Sequence, residues 1–382
     1  MVPIAQAAQI AGHTVAVACG PSLVPLVESR GFPAFGIGSS GPSAGEKRLP
    51  LREVDIAREE QDLRERFAGR AARLRAAGVR VLATDWRPDV MVADEVDFGS
   101  MVAAEVLAIP YATVLIIAAG TLVRGEVVAD TLNSLRGEHG LPADPDFTAP
   151  SRYLVLSPFP TTLRDPSARL PATTHFFRPI DMDGGEGAVP ARSGRLAGVP
   201  NVYFTLGTEF NVESGDLFTR VVTGLRELPI NVLVTVGRQI DPGELGPQPA
   251  HVCVERYVPH AEALSWCDLV VFHGGSGTLT GALAHGVPMV MLAIGADQPA
   301  NALRCRALGL GVTLDPFRAT PAAVRQATTL VLTDPAYRQA ARQLRDAIAA
   351  QPDPATAVVL LERLAVERRP LRGRDAAPWV PA

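Results

Sequence analysis

Short apolar runs rich in β-branched residues alternate along this chain with longer helical patterns, and this alternation restricts the fold more than any other feature of the sequence. The pattern is typical of parallel sheets with helices on both faces, so the predicted fold class is α/β. The strands predicted for the first half are His13–Cys19, Asp89–Ala93, Tyr111–Ile116 and Tyr153–Leu156. Those predicted for the second half are Asn201–Leu206, Asn231–Val236, His251–Val254, Leu269–Phe272, Met289–Leu292 and Gly311–Leu314. The helices predicted for the first half are Val2–Ala11, Ser22–Ser29, Val54–Ala77 and Gly99–Leu107.

We predict two Rossmann-like domains, since domains average about 150 residues and the chain has 382. We place the first domain at residues 1–182, a Gly-, Pro- and Ser-rich linker at 183–199 and the second domain at 200–350. A helix within 351–368 is expected to pack back on the first domain, and the Pro- and Arg-rich tail 369–382 is expected to be disordered.

Charge and apolar runs limit the partners and the location. With 36 basic and 40 acidic side chains the net charge is −4, which argues against nucleic acid as a partner. The longest apolar run, Tyr111–Val123, is shorter than the ~20 residues that span a bilayer, and no export signal is seen, so we expect a cytoplasmic protein without a membrane span. The four cysteines are scattered without metal-site spacing and are expected to be buried free thiols.

The most informative segment begins where the predicted strand Leu269–Phe272 runs into His273, Gly274, Gly275, Ser276, Gly277 and Thr278. A helix is predicted directly afterwards. Glycines let a ligand approach the backbone, and the N–H groups at a helix start attract a phosphate oxygen. The alternative is that Ser276 and Thr278 only cap the helix.

Two polar residues follow the next predicted strand of this half. Asp297 and Gln298 are expected at the carboxyl edge of the sheet, where open α/β sheets bind ligands. A carboxylate beside an amide can both accept from and donate to sugar hydroxyls. Alternatively, Asp297 is only the N-cap of a helix.

HGGSGT, ALAHGVP, ADQPANA and LGLGV follow one another between His273 and Val312. In order and spacing they resemble the donor-binding signature of family 1 glycosyltransferases, nucleotide-sugar-dependent enzymes of the GT-B fold. The similarity extends to TLGT at Thr205–Thr208 and ERYVPH at Glu255–His260, and it is strongest toward bacterial enzymes that glycosylate polyketides and other natural products.

The resemblance implies a role for each part of this signature. His273, Gly274, Gly275, Ser276, Gly277 and Thr278 would hold the donor diphosphate, with Gly207 and Thr208 beside it. Val258 would meet the base through its main chain, and Asp297 and Gln298 would hold the sugar. No metal and no cofactor are implied, because the dTDP- or UDP-linked sugar is a co-substrate.

The start of the chain departs from this family. Members begin with a strand and a His-x-x-Pro element whose histidine is the general base, whereas this sequence opens at the helix that follows it. We therefore hypothesise that the natural protein is longer. Asp94 resembles the acidic partner that orients this histidine, and the alternative is an N-cap for the next helix.

The sequence thus predicts an inverting hexosyltransferase of antibiotic biosynthesis that uses a hydrophobic acceptor. Phe98, Met101, Tyr111 and Ile116 are candidates for the apolar lining of the acceptor site, and the alternative for each of them is a position in the core. Two alternatives stay open, a GT-B epimerase acting on the nucleotide sugar and a non-catalytic, nucleotide-sugar-binding auxiliary protein. A homodimer and an activator protein also stay open as partners.

Overall fold

The computed structural model describes residues 1–38, 49–179, 196–208 and 211–373. Most of the predicted linker 183–199 and of the predicted tail 369–382 lies outside these residues. The helices are α1 (Val2–Ile10), α2 (Val24–Ser29), α3 (Ile56–Gln61), α4 (Ala72–Trp86), α5 (Phe98–Val106), α6 (Gly125–Glu138), α7 (Leu217–Leu225), α8 (His260–Trp266), α9 (Ser276–His285), α10 (Gln298–Ala307), α11 (Pro321–Thr333), α12 (Pro335–Ala349) and α13 (Pro354–Glu367). Short 3₁₀ turns lie at Pro21–Leu23, Ala149–Ser151, Thr161–Leu163 and Pro242–Leu245.

All strand pairs are parallel, as predicted for an α/β fold. The strands are β1 (Val17–Cys19), β2 (Ala34–Gly36), β3 (Met91–Asp94), β4 (Tyr111–Val114), β5 (Leu154–Ser157), β6 (Thr174–Phe176), β7 (Asn201–Thr205), β8 (Asn231–Thr235), β9 (Val252–Glu255), β10 (Leu269–Phe272), β11 (Met289–Met291) and β12 (Gly311–Thr313). The second half contains one sheet of six strands in the order β12-β11-β10-β7-β8-β9, with apolar cores on both faces.

Two separate sheets lie in the described part of the first half. One has the order β3-β4-β5-β6 and the other consists of β1 and β2. A side chain connects the two sheets: the Arg75 guanidinium donates to the carbonyl of Ala18 in β1 at 2.6 Å and to Asp97, after β3, at 3.1 Å. The hypothesis of an upstream strand stays a prediction.

The long helix predicted to end at Ala77 continues to Trp86, with a π-helical segment at Asp62–Ala71. A Cβ on Gly78 would lie 2.5 Å from a methyl carbon of Ile37, so this glycine serves close packing and does not end the helix. The helix ends instead at Arg87, which adopts a left-handed conformation with φ 54°.

Helix α13 packs with α1 over β4 and β5, through a cluster that includes Ile4 and Leu364. The chain beyond it was expected to be disordered from residue 369. However, Leu371 is 3% exposed and donates its N–H to the carbonyl of Tyr153 at 2.8 Å. The expected disorder therefore does not apply to residues 369–373. No helix among the described residues is long and apolar enough to cross a membrane.

Candidate functional site

The candidate site lies where the strand order of the six-stranded sheet reverses. From β7 the chain passes to β8 and β9 on one side, whereas β10, β11 and β12 lie on the other. Thr205 of β7 pairs with Phe272 of β10, so the turns that follow these strands are neighbours. A crevice at such a switch point is the usual place for a ligand in an open α/β sheet. The topology thus brings Gly207 and Thr208 beside the turn that starts at His273.

The His273 ring is buried between two glycines. A Cβ on Gly207 would lie 2.6 Å from the ring, and a Cβ on Gly275 would lie 2.4 Å from its Nε2. Burial, with a smaller effect from His260, lowers the pKa of His273 to about 3, so the ring is neutral. Its Nδ1 is buried and makes no hydrogen bond with any described residue. Neither ring nitrogen is paired within the described part of the chain, and a neutral ring carries one N–H, so the ring can donate a hydrogen bond to a ligand oxygen.

The start of α9 presents unpaired N–H groups. Gly275 is the N-cap residue, and neither Ser276 nor Thr278 makes a side-chain cap, so the capping alternative is wrong. The N–H groups of Gly277 and Thr278 find no acceptor among the described residues. Gly277 is exposed, and a Cβ there would meet nothing within 4 Å. The helix start is therefore open to an anionic ligand.

Asp297 is held by a buried network that the sequence did not reveal. Its Oδ2 accepts from the hydroxyl of Ser276 at 2.5 Å, from the Ser276 N–H at 3.2 Å and from the Asn301 amide at 2.8 Å. Asp297 is the N-cap residue of α10, as the alternative predicted, but its side chain makes no cap hydrogen bond there and bonds to Ser276 and Asn301 instead. Its Oδ1 makes no hydrogen bond with a described residue, which leaves one oxygen for a ligand.

Gln298 is fixed in a similar way. Its Oε1 accepts from the N–H groups of Ile294 at 2.8 Å and Gly295 at 3.3 Å, and the residue is only 1% exposed. Its amide nitrogen has no acceptor within the described part of the chain. Oδ1 of Asp297 is thus left as an acceptor and Nε2 of Gln298 as a donor. Each side chain is held in place by hydrogen bonds to its other polar atom.

A loop of the first half closes over this network. The N–H of Ala118 donates to Ser276 Oγ at 2.8 Å, and the N–H of Ala119 donates to Asn301 Oδ1 at 2.9 Å. Glu95 holds the preceding turn, where its Oε1 accepts from the N–H groups of Ile116 and Ile117, both at 2.6 Å. Burial raises the pKa of Glu95 to about 7.

Asp94 lies at the end of β3, directly before Glu95. Its Oδ1 accepts from the N–H of Val96 at 2.9 Å, and burial, more than the nearby Asp97, raises its pKa. The N-cap of α5 is Asp97, whose side chain accepts from the N–H of Ser100, so the capping alternative for Asp94 is wrong. Asp94 therefore lies directly before Glu95, the residue that holds the turn leading into the loop over α9.

The remaining predicted residues differ in placement. Val258 is buried, and its N–H and carbonyl make no hydrogen bond with other described residues. Phe98, Met101 and Tyr111 are core residues, so their assignment to the acceptor lining is wrong. Ile116 is 39% exposed.

Asn301 and Glu95 are site residues that sequence reasoning missed. Asn301 is 1% exposed and also donates to the carbonyl of Gly274 at 3.0 Å. Its spacing of four residues from Asp297 places both on one face of α10, which is a signal present in the sequence. Glu95 carries no such signal, because its partners lie over 20 residues away. Within the described ranges no group of three His, Cys, Asp or Glu side chains could hold a metal ion.

Residues 219–364 match the family described as erythromycin biosynthesis protein CIII-like, C-terminal domain. Tylactone mycaminosyltransferase of Streptomyces fradiae is 28% identical over an alignment of 421 residues that covers 98% of this chain and 91% of the relative. The 4'-demethylrebeccamycin synthase of Lentzea aerocolonigenes is 38% identical over 176 residues, or 46% of this chain and 41% of the relative.

A solved structure, the spinosyn rhamnosyltransferase SpnG complexed with thymidine diphosphate, is similar with a TM-score of 0.75 and 25% identity, covering 95% of each chain. The donor signature of the sequence and these relatives indicate the same class of enzyme. The chain is a glycosyltransferase with the GT-B fold, and it is similar over nearly its whole length to glycosyltransferases of natural-product pathways.

Proposed function

We propose that the chain transfers a hexose or deoxyhexose, with inversion, from a dTDP- or UDP-linked sugar to a hydroxyl of a hydrophobic natural product. The observation that carries the proposal is the open start of α9, where the N–H groups of Gly277 and Thr278 are unpaired beside the His273 ring. A diphosphate fits these groups, because its oxygens accept hydrogen bonds and its charge is favoured by the helix dipole.

The hexose would bind beside the diphosphate. Oδ1 of Asp297 would accept from one sugar hydroxyl, and the amide nitrogen of Gln298 would donate to another. The base would lie against the main chain of Val258, whose polar groups are unused within the described chain.

The reaction joins the acceptor oxygen to the anomeric carbon as the bond from that carbon to the diphosphate breaks, through an oxocarbenium-like transition state. The N–H groups of α9 and the His273 N–H would stabilise the charge that builds on the departing diphosphate. This proposal assigns that task to no metal ion.

The attacking hydroxyl must lose a proton to a base. We assign to Asp94 the role of stabilising that base once it is protonated, since the carboxylate lies at the end of β3 in the first half, whereas α9 lies in the second half. Attack from the first half, with departure of the diphosphate toward α9, would give inversion.

The acceptor class rests on the relatives, whose names include a tylactone glycosyltransferase and a spinosyn rhamnosyltransferase. The cytoplasm is the proposed location, and all four cysteines are free, as is usual there. Cys267 and Cys305 are buried, whereas Cys19 and Cys253 are half-buried.

Gly277→Asp, with Gly277→Asn as its matched control, tests the diphosphate site. The side chain has free space at this position, and an acid in the first turn favours the helix. An added charge about 4 Å from the diphosphate costs roughly 1–4 kcal/mol. We expect Gly277→Asp to melt no lower than the control but to bind dTDP and UDP at least tenfold more weakly by calorimetry. Equal affinities would overturn the placement.

Transfer is tested by chromatography of products from a panel of dTDP- and UDP-sugars with hydrophobic aglycones, in the presence of EDTA. The chain is assayed as it stands and with an in-frame upstream extension. Release of nucleoside diphosphate coupled to an inverted glycoside supports the proposal. Donor binding without transfer would favour a non-catalytic binding protein, and an epimerised donor formed without acceptor would favour an epimerase.

A further inference from the structure

A side chain from the first half reaches the loop that precedes Asp297. Glu59 of α3 accepts, through Oε1, the N–H of Ala296 at 2.9 Å, across a separation of 237 residues in sequence. Ala296 has a φ of 53°, the left-handed conformation that a residue with a Cβ rarely adopts. This residue therefore needs an external contact to hold it.

Three consecutive N–H groups fix this loop. Those of Ile294 and Gly295 donate to the side chain of Gln298, within the second half. The third, that of Ala296, donates to Glu59 of the first half. The conformation of the chain directly before Asp297 is thus set by both halves together.

The Glu59 carboxylate suits this task. The side chain is half-buried, and burial raises its pKa while the bond from Ala296 lowers it. A hydrogen bond from an N–H to a carboxylate is stronger than one to a neutral acceptor. Its Oε2 makes no hydrogen bond to any residue that the structure describes, so Ala296 is its one such partner there.

We propose that Glu59 is a positioning residue for the sugar-binding loop, which holds Ala296 so that Asp297 and Gln298 face the hexose. This inference rests on the proposed function. It makes recognition of the sugar depend on contact between the halves, whereas the diphosphate site at α9 belongs to the second half alone.

The test compares Glu59→Ala, Glu59→Gln and a matched control, Glu60→Ala. Glu60 is the next residue in α3, but its carboxylate binds Arg124 of the first half. Each variant is titrated with the nucleotide sugar and with the free nucleoside diphosphate. Glu59→Ala should weaken binding of the nucleotide sugar about threefold to tenfold and leave the free diphosphate unchanged. Glu59→Gln, which keeps an acceptor oxygen, and Glu60→Ala should both stay within twofold of the parent.

Three results would overturn the inference. They are unchanged nucleotide-sugar binding in Glu59→Ala, an equal loss in Glu59→Gln, and an equal loss in Glu60→Ala. If the parent chain binds neither nucleotide sugar nor diphosphate, the proposed function itself fails. If Glu59→Ala misfolds, Glu59→Leu, which keeps the bulk of the side chain but removes the acceptor of the Ala296 N–H, takes its place with the same expected loss, and unchanged nucleotide-sugar binding in that variant overturns the inference.

Discussion

Replacing Asn301 by alanine tests the buried network that holds Asp297. The Asn301 amide donates to the Gly274 carbonyl and to Ser276 Oγ, both at 3.0 Å, and to Asp297 at 2.8 Å. Its Oδ1 accepts from the N–H of Ala119. The Asn301 side chain therefore connects the turn before α9, the Asp297 carboxylate and the first-half loop that contains Ala119.

The cost follows from which partners are left unpaired. Ser276 Oγ keeps the N–H of Ala118, and Asp297 keeps both groups of Ser276. The Gly274 carbonyl and the Ala119 N–H lose their bonds to Asn301, and both residues are buried. At about 1–3 kcal/mol for each unpaired buried group, Asn301→Ala should lower the free energy of unfolding by roughly 2–6 kcal/mol.

Urea unfolding followed by circular dichroism measures this loss, with Asn133→Ala as the control. Asn133 is half-buried and makes one hydrogen bond, accepting from the N–H of Asp144. Its replacement should cost about 1 kcal/mol. If the free energy of unfolding falls no further in Asn301→Ala than in Asn133→Ala, water bonds to the Gly274 carbonyl and the Ala119 N–H, and the reasoning is wrong.

Three further predictions follow from contacts around the crevice. Burial raises the pKa of Glu95 from 4.5 to about 7, so the folded state holds a proton that the unfolded state releases as the pH rises above 4.5. Stability should fall by up to about 3 kcal/mol between pH 4.5 and 8 in the parent and not in Glu95→Gln, as measured by urea unfolding; parallel profiles would contradict this. Gly207→Ala places a Cβ 2.6 Å from the His273 ring at a φ of 73°, so calorimetry should show at least tenfold weaker binding of dTDP or UDP, and unchanged binding would place the diphosphate elsewhere. Ser276→Ala removes the acceptor of the Ala118 N–H, so hydrogen exchange of this amide should accelerate about fivefold or more, unless other contacts hold the loop.

The residues predicted best from the sequence are those fixed by local chemistry. The strand Leu269–Phe272 and the helix after the glycine turn lie where the apolar run and the glycines place them. By contrast, β2 and β6 were missed, since each has three residues and exists through pairing with β1 and β5. Strands this short carry no periodic signal of their own.

Contacts between the halves could not be read from the sequence. Glu59 lies in a helix rich in charge, where a solvated face is the ordinary interpretation, and its partner Ala296 is 237 residues away. The assignment of Phe98 and Tyr111 to the acceptor lining was wrong for a related reason. An apolar side chain near a predicted strand end can line a pocket or fill the core, and the packing of the neighbouring helices decides between them.

The sugar-binding pair is held by residues that do not themselves reach the hexose. Ser276 and Asn301 use Oδ2 of Asp297, which leaves Oδ1 at a fixed place, and Glu59 fixes the residue before it. Immobilising a side chain on binding costs about 0.5–1.5 kcal/mol. The Asp297 side chain is already immobilised in the folded protein, so a ligand does not have to order it. Loss of Glu59, which makes no contact with the α9 turn, should therefore weaken binding of the nucleotide sugar about threefold to tenfold while the free diphosphate binds as before. In the proposed site, sugar recognition thus depends on contact between the two halves, and diphosphate binding on one helix start.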